Sequence, residues 1–273
     1  MMKRLTSPDG KPIRLAAVRP NAGLAMLYRK RILRLVDAMQ ADLVRRIGAA
    51  MRFSAPAMAV DAPDGMYGRS SARYLLDEVE GLSEQWQRRF DEAAPKLAEY
   101  FASAAGNRAD GALASILRDG GFSVRFTLTD GSKAVLDATM GEQVGLIKSI
   151  ASQHLGEVRG LVMRSVQQGR DLGWLTKQLQ ARYAITKRRA ALIARDQNNK
   201  ATVAITRARQ IEMGVKAVWM HSHAGKHPRP SHVKADGQEF DPEKGMYLDG
   251  VWTWPGVEIN CRCVSRSVIP GFE

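Results

Sequence analysis

Apolar residues recur along this chain at two different periods, and the changes of period divide it. From Asn21 to Met51, Tyr28, Ile32, Leu35, Met39 and Leu43 fall on one narrow arc at about 100° per residue, which predicts an amphipathic helix flanked by Lys30, Arg34 and Arg45. Helical spacing returns from Ser70 to about Ala105, with an interruption expected near Pro95. It returns again beyond Gly141 through Val144, Ile147, Ile150, His154 and Val158. A short helix is predicted over Asp171 to Ala181. The run from Lys187 to Met213 lacks Gly and Pro and reads as one long helix stopped by Gly214. On that helix Ala190, Ile193, Ala194, Ala201, Ala204, Ala208 and Ile211 share one face, and Arg188, Arg195, Asn199, Thr202, Thr206 and Arg209 share the opposite one.

Period two appears in three places. Val215 to Met220 predicts a strand. Phe122 to Leu128 alternates ahead of Asp130-Gly131, which predicts a hairpin closed by Val135-Leu136, and Met246 to Trp254 predicts another around Asp249-Gly250. Trp252 and Trp254 are expected on one face of that second hairpin, in a core rather than stacked on bases. Pro8, Gly10, Pro12 and Pro20 mark residues 1–20 as an extended basic arm, and Pro56, Pro63, Gly65 and Gly68 mark 54–68 as a linker or exposed loop. The fold class that follows is α+β, mainly helical with a small β-rich C-terminal module. Its segments are the arm at 1–20, a helical region at 21–120, a hairpin plus helical connector at 121–186, and the long helix with its β module at 187–273.

A length of 273 residues with 45% hydrophobic content allows one large domain or two ordinary ones. The net charge of +13 is uneven: residues 1–50 hold 11 Lys/Arg against 3 Asp/Glu, residues 121–220 hold 16 against 7, and the remainder sums to −4. Two separated basic blocks point to an anionic partner, either nucleic acid or acidic subunits of an assembly. On one helical face Arg188 and Arg209 join Lys30, Arg34 and Arg45 as candidate phosphate contacts. Arg195 and Asp196, mid-helix where the terminal module must fold back, are expected to anchor that module, and Arg262 is read as structural in the same way. The amino terminus lacks the apolar run of a targeting signal, and no stretch approaches the ~18 apolar residues of a membrane span, so the chain is expected to work in a cytosol without a membrane partner.

Four of the five histidines, His221, His223, His227 and His232, lie within twelve residues, and the two cysteines, Cys261 and Cys263, lie one residue apart. Imidazole and thiolate groups crowded round a small module are zinc ligands by chemistry, while a Cys-x-Cys disulfide is strained. The alternative is a metal-free module of buried thiols and loop histidines. His232 as base with Asp236 or Glu239 as metal ligand would make a nuclease, although Asp236-Gly237 also reads as a plain turn.

Taken in order, the helix containing Ile193-Ala194-Arg195-Asp196-Gln197, the strand from Gly214 to Trp219, Arg229-Pro230-Ser231-His232, Asp236 to Phe240 and Asn260-Cys261-Arg262-Cys263 resemble the phage Mu-type minor head, or head morphogenesis, family. Phe122 to Phe126 and Asn21 to Met39 look like the amino-terminal parts of longer members. The resemblance implies a non-enzymatic component of tailed-phage heads, associating with the portal protein and with capsid or scaffold proteins and contacting packaged double-stranded DNA. It implies a location in the virion, at the head interior or portal vertex, and in the host cytoplasm during assembly. The alternative is a metal-dependent nuclease or DNA-processing enzyme. Members of the family often carry Cys-x-x-Cys and His-x-x-Cys-x-Cys. Aligned on those, this chain has Arg229 and His232, then Glu258, Cys261 and Cys263. Two of five candidates are replaced, so no bound cofactor is expected, and zinc is the ion that His232, Cys261 and Cys263 would take.

Overall fold

The computed structural model describes residues 10–53, 71–168, 171–223 and 227–271. Residues 1–9 of the arm and the 54–68 loop lie outside them. The elements run β1 (Ile13–Ala17), α1 (Ala22–Phe53), α2 (Ser71–Asp119), α3 (Asp130–Gln167), α4 (Leu172–Glu212), β2 (Lys216–Met220), α5 (Pro230–Lys234), β3 (Glu239–Phe240), β4 (Met246–Leu248), β5 (Val251–Thr253) and β6 (Val264–Ile269). The protein is α+β and mainly helical, with a small C-terminal β module. Among the described residues no helix is long and apolar enough to cross a membrane.

Helix ends follow local chemistry. Asn21 Oδ1 accepts from the Leu24 amide at 2.8 Å and Asp171 Oδ1 from the Trp174 amide at 2.8 Å, so each caps the helix it precedes. Gly214, at φ 63°, closes α4 with Val215 N donating to Gln210 O and Gly214 N to Ile211 O, which satisfies two terminal carbonyls.

Four expectations are corrected. The hairpin predicted at 122–136 is absent: α2 ends at Gly121 (φ 86°) in the same double hydrogen bond, and α3 begins at Asp130. Thr129 and Ser132 cap α3 reciprocally, each side chain bonding the other's amide, so Asp130-Gly131 starts a helix instead of a turn. The alternation there records which side chains face the core, since Phe122 is buried and Val124 and Phe126 pack beside it, and carries no strand pairing. Pro95 does not interrupt α2, because an apolar stripe continues on both sides of it through Phe90, Ala94, Ala98 and Phe101. The short helix and the long helix of the carboxy-terminal half are one, α4, with no breaker between them. The arm is extended but includes β1, which pairs antiparallel with β6 in the register Ile13 to Ile269.

The chain forms two compact units: residues 1–27, 98–143 and 194–273 make one, and 28–97 with 144–193 the other. In the second unit α1 buries Tyr28, Ile32, Val36, Met39, Leu43 and Ile47, each at 1% exposure or less. Buried stripes on α2 (Leu75, Val79, Leu82, Trp86, Phe90), α3 (Ile147, Ile150, Val158, Val162) and α4 (Leu175, Leu179, Ala190) complete that core. Each Val, Leu, Ile, Phe or Met among them contributes about 1.5–3 kcal/mol when removed from water. His154 sits in the same core at 1% exposure, hydrogen-bonded to Thr186 and Gln40.

In the first unit a four-stranded antiparallel sheet, in the order β1-β6-β2-β3, packs on the apolar cluster of Leu15, Val18, Leu113, Leu117, Phe122, Ile205, Met213 and Ile269. The β4–β5 hairpin stands apart from that sheet, with Asp249 and Gly250 both at positive φ (51° and 85°) as its two-residue turn requires. Trp252 departs from the expected core position and is 58% exposed beside Tyr247, because it is Thr253 that turns inward, and β5 ends before Trp254. The polar face expected on α4 is buried from Asn199 onward, while Arg188 and Arg195 are exposed. Thr202 and Thr206 are 4% exposed and donate to the carbonyls of Asn198 and Thr202, four residues back, which lets hydroxyls face a packed interior.

Candidate functional site

The β module is held on α4 by a few directional contacts. Asp196 Oδ1 accepts from the Asn260 amide at 2.9 Å, and Arg195 Nη2 donates to Asn260 Oδ1 at 2.7 Å. One turn on, Asn199 Nδ2 donates to Cys261 O at 2.6 Å. These bonds fix Asn260, at φ 62°, and set the two residues that follow. Chain alternation then turns Cys261 and Cys263 inward and leaves Arg262 exposed between them. Asn199 and Asn260 were not singled out from sequence. The available signal was Asn198-Asn199, two poor helix formers in the middle of a long helix.

His232 comes from the short helix α5, is 2% exposed, and lies edge-on to Trp219 with ring centroids 5.0 Å apart. Its Nδ1 is 3.5 Å from Cys261 Sγ and 3.7 Å from Cys263 Sγ, and the three ligand atoms lie within 4.8 Å of one another. Among the described residues this is the group of His, Cys, Asp or Glu side chains arranged to hold a metal. Both cysteines are free and buried. The hydrogen bond from Cys263 pulls the Cys261 thiol well below the usual range, and the same contact, with burial, pushes Cys263 up. The pair therefore favours a thiolate at Cys261 with Cys263 as its donor.

On the far side of the ring His232 Nε2 lies 3.4 Å from Glu258 Oε1, and Glu258 Oε2 pairs with Arg229 Nε at 2.8 Å. Arg229 and Glu258, the two positions at which the expected ligand set is broken, are thus bound to each other. His221 and His227 line a small cavity of about 60 Å³ with His232, Cys261 and Cys263. His223 is exposed and stacks edge-on to His221.

The nuclease arrangement does not assemble. His232 Nδ1 faces sulfur, Asp236 accepts from the His221 amide at 2.8 Å, and Glu239 pairs with Arg14 at 3.0 Å. Of the candidate phosphate contacts, Lys30, Arg34, Arg45 and Arg188 are exposed. Arg45 is paired with Asp42 in the next turn and stays 72% exposed. Arg209 is corrected. It is 3% exposed, and its guanidinium donates to both Asp110 carboxylate oxygens at 2.8 and 2.7 Å, to Glu212 at 2.7 Å and to Thr127 O at 2.9 Å. A helical wheel places it on a polar face, but Asp110, 99 positions earlier, draws that face inward.

Fold and site together define a mainly helical protein that closes on a small β module with a buried imidazole and two thiols. Residues 156–266 match the model of the Phage Mu protein F like family. A Haemophilus influenzae protein described as uncharacterized is 34% identical over 138 residues, which is 50% of this chain and 30% of that protein. The match therefore spans less than a third of the relative's length. No solved structure matches the chain.

Proposed function

We propose that this chain is a non-enzymatic minor head, or head morphogenesis, protein of a tailed phage. It joins the portal protein and the capsid or scaffold proteins during assembly in the host cytoplasm. It remains in the virion at the head interior or portal vertex, where it contacts double-stranded DNA without reading sequence. The observation that carries the reading is the match of residues 156–266 to the Mu F-like family, which takes in the anchor on α4, His232 and both cysteines.

The DNA contact is supported by the exposed cations of the second unit. Lys30, Arg34 and Arg45 fall within about 60° on α1 at 100° per residue, and Arg188 adds a fourth exposed charge on α4. Arg209 is excluded from this set by its burial.

Purified protein should bind duplexes of unrelated sequence equally well, with affinity falling steeply between low and physiological salt. Changing Lys30, Arg34 and Arg45 together to Glu should lower the slope of log K against log salt by about 3, roughly one per lost phosphate contact. An unchanged slope would return α1 to an ordinary solvated helix.

A further inference from the structure

In the buried cluster two cysteine sulfurs converge on a single nitrogen of His232, and Cys263 also bonds Cys261. A neutral imidazole has one nitrogen lone pair and can accept one S–H. Here two thiol sulfurs sit 3.5 and 3.7 Å from the same nitrogen, all three side chains being at most 5% exposed. Around a tetrahedral zinc, with sulfur at about 2.3 Å and nitrogen at about 2.0–2.1 Å, each sulfur falls about 3.5–3.6 Å from the nitrogen. The two nitrogen–sulfur distances match that spacing, and the three ligand atoms lie within 4.8 Å of one another.

We propose that His232 Nδ1, Cys261 Sγ and Cys263 Sγ bind a structural zinc ion, the fourth position facing the small cavity lined by His221 and His227. Ligation through Nδ1 places the ring proton on Nε2, which has no hydrogen-bond partner among the described residues but lies 3.4 Å from Glu258 Oε1, a small shift from the carboxylate–histidine–metal arrangement that orients such ligands. Arg229 holds that carboxylate from the other side. At the cavity, His221 Nδ1 is buried with no hydrogen-bond partner among the described residues. The module also has reason to need the ion. Its own cluster of buried residues is Ala217, Trp219, Ala235, Phe240 and the two cysteines, so the sulfurs belong to the little core it has.

The test uses the full chain, stripped with chelator and reloaded with cobalt(II). The expected spectrum has the visible bands of a tetrahedral ion and near-ultraviolet thiolate-to-cobalt bands with the intensity of two sulfurs. Zinc should displace cobalt at one equivalent per chain. Cys261→Ser and Cys263→Ser should each halve the charge-transfer intensity and weaken zinc at least ~100-fold, and Glu258→Gln should keep the spectrum while weakening zinc about 10-fold. Far-ultraviolet circular dichroism, dominated by the four long helices, shows whether each variant is folded. The unaltered chain needs no such control. A cobalt spectrum without thiolate bands, or zinc affinity unchanged in Cys261→Ser and Cys263→Ser, would overturn the site.

Discussion

Arg209→Ala is expected to lower the stability of the chain by about 3–5 kcal/mol, the range for breaking a buried ion pair by removing one partner. The substitution leaves Asp110 and Glu212, 25% and 17% exposed, without the guanidinium that pairs with both, and leaves the Thr127 carbonyl without that donor. It also removes the guanidinium that lies over the Phe126 ring at 5.0 Å. Arg209→Lys keeps the charge but not the fork that engages both Asp110 oxygens, so its loss should be smaller but clear. Urea unfolding followed by circular dichroism measures both. A loss for Arg209→Ala within ~1 kcal/mol, as for an exposed pair, would show that the cluster is not a fixed part of the core.

Acid should act on the second unit through His154. Gln40 Oε1 can only accept, so His154 donates its Nε2 proton there at 3.1 Å, and the Thr186 hydroxyl meets Nδ1 at 2.9 Å. Burial first, and the nearby Arg182 charge second, lower the His154 pKa to about 4. The unfolded chain protonates this ring near its ordinary value of about 6.5, while the folded chain keeps it neutral. Stability is therefore complete above that value and falls as the pH drops toward 4, by up to about 3 kcal/mol. Carboxylates titrate in part of the same window, so the quantity to measure is the difference between the unaltered chain and His154→Gln. That difference should shrink as the pH falls from 7 to 4. A constant difference would mean that His154 takes up its proton at the same pH in the folded and unfolded states.

Where the chain's local chemistry decides the outcome, it could be read without the structure. The α1 stripe, the Gly214 stop, β2 and the Asp249-Gly250 turn all follow from residues within a few positions of one another. The failures share a cause, which is a distant partner or an unweighted cap. Thr129 and Ser132 turned an apparent hairpin into a helix start. Asp110 took Arg209 out of the exposed set, and no periodicity within α4 could signal it. Thr202 and Thr206 looked like a solvent face because their hydroxyls are polar, yet each is satisfied by its own helix and free to be buried. For the candidate site, spacing gathered four histidines and two cysteines, and the family resemblance singled out His232, Cys261 and Cys263, which the fold brings together. The Arg229–Glu258 pair and the Asn199 anchor needed three-dimensional closure to be seen.

The folded arrangement also bears on how the assembly role is tested. Removing residues 187–273 would cut α4 and strip Ile205, Met213, Val215 and Ile269 from the cluster that also holds Leu113, Leu117 and Phe122, so a truncated chain would fail for want of a core. The intact protein gives the cleaner measurement: quantitative mass spectrometry of head particles purified from a lysate of the phage that encodes it. This chain is expected at a low, constant ratio to the portal protein, retained through density banding and a high-salt wash. A chain found solely in the soluble fraction, with particles of normal composition lacking it, would contradict the account.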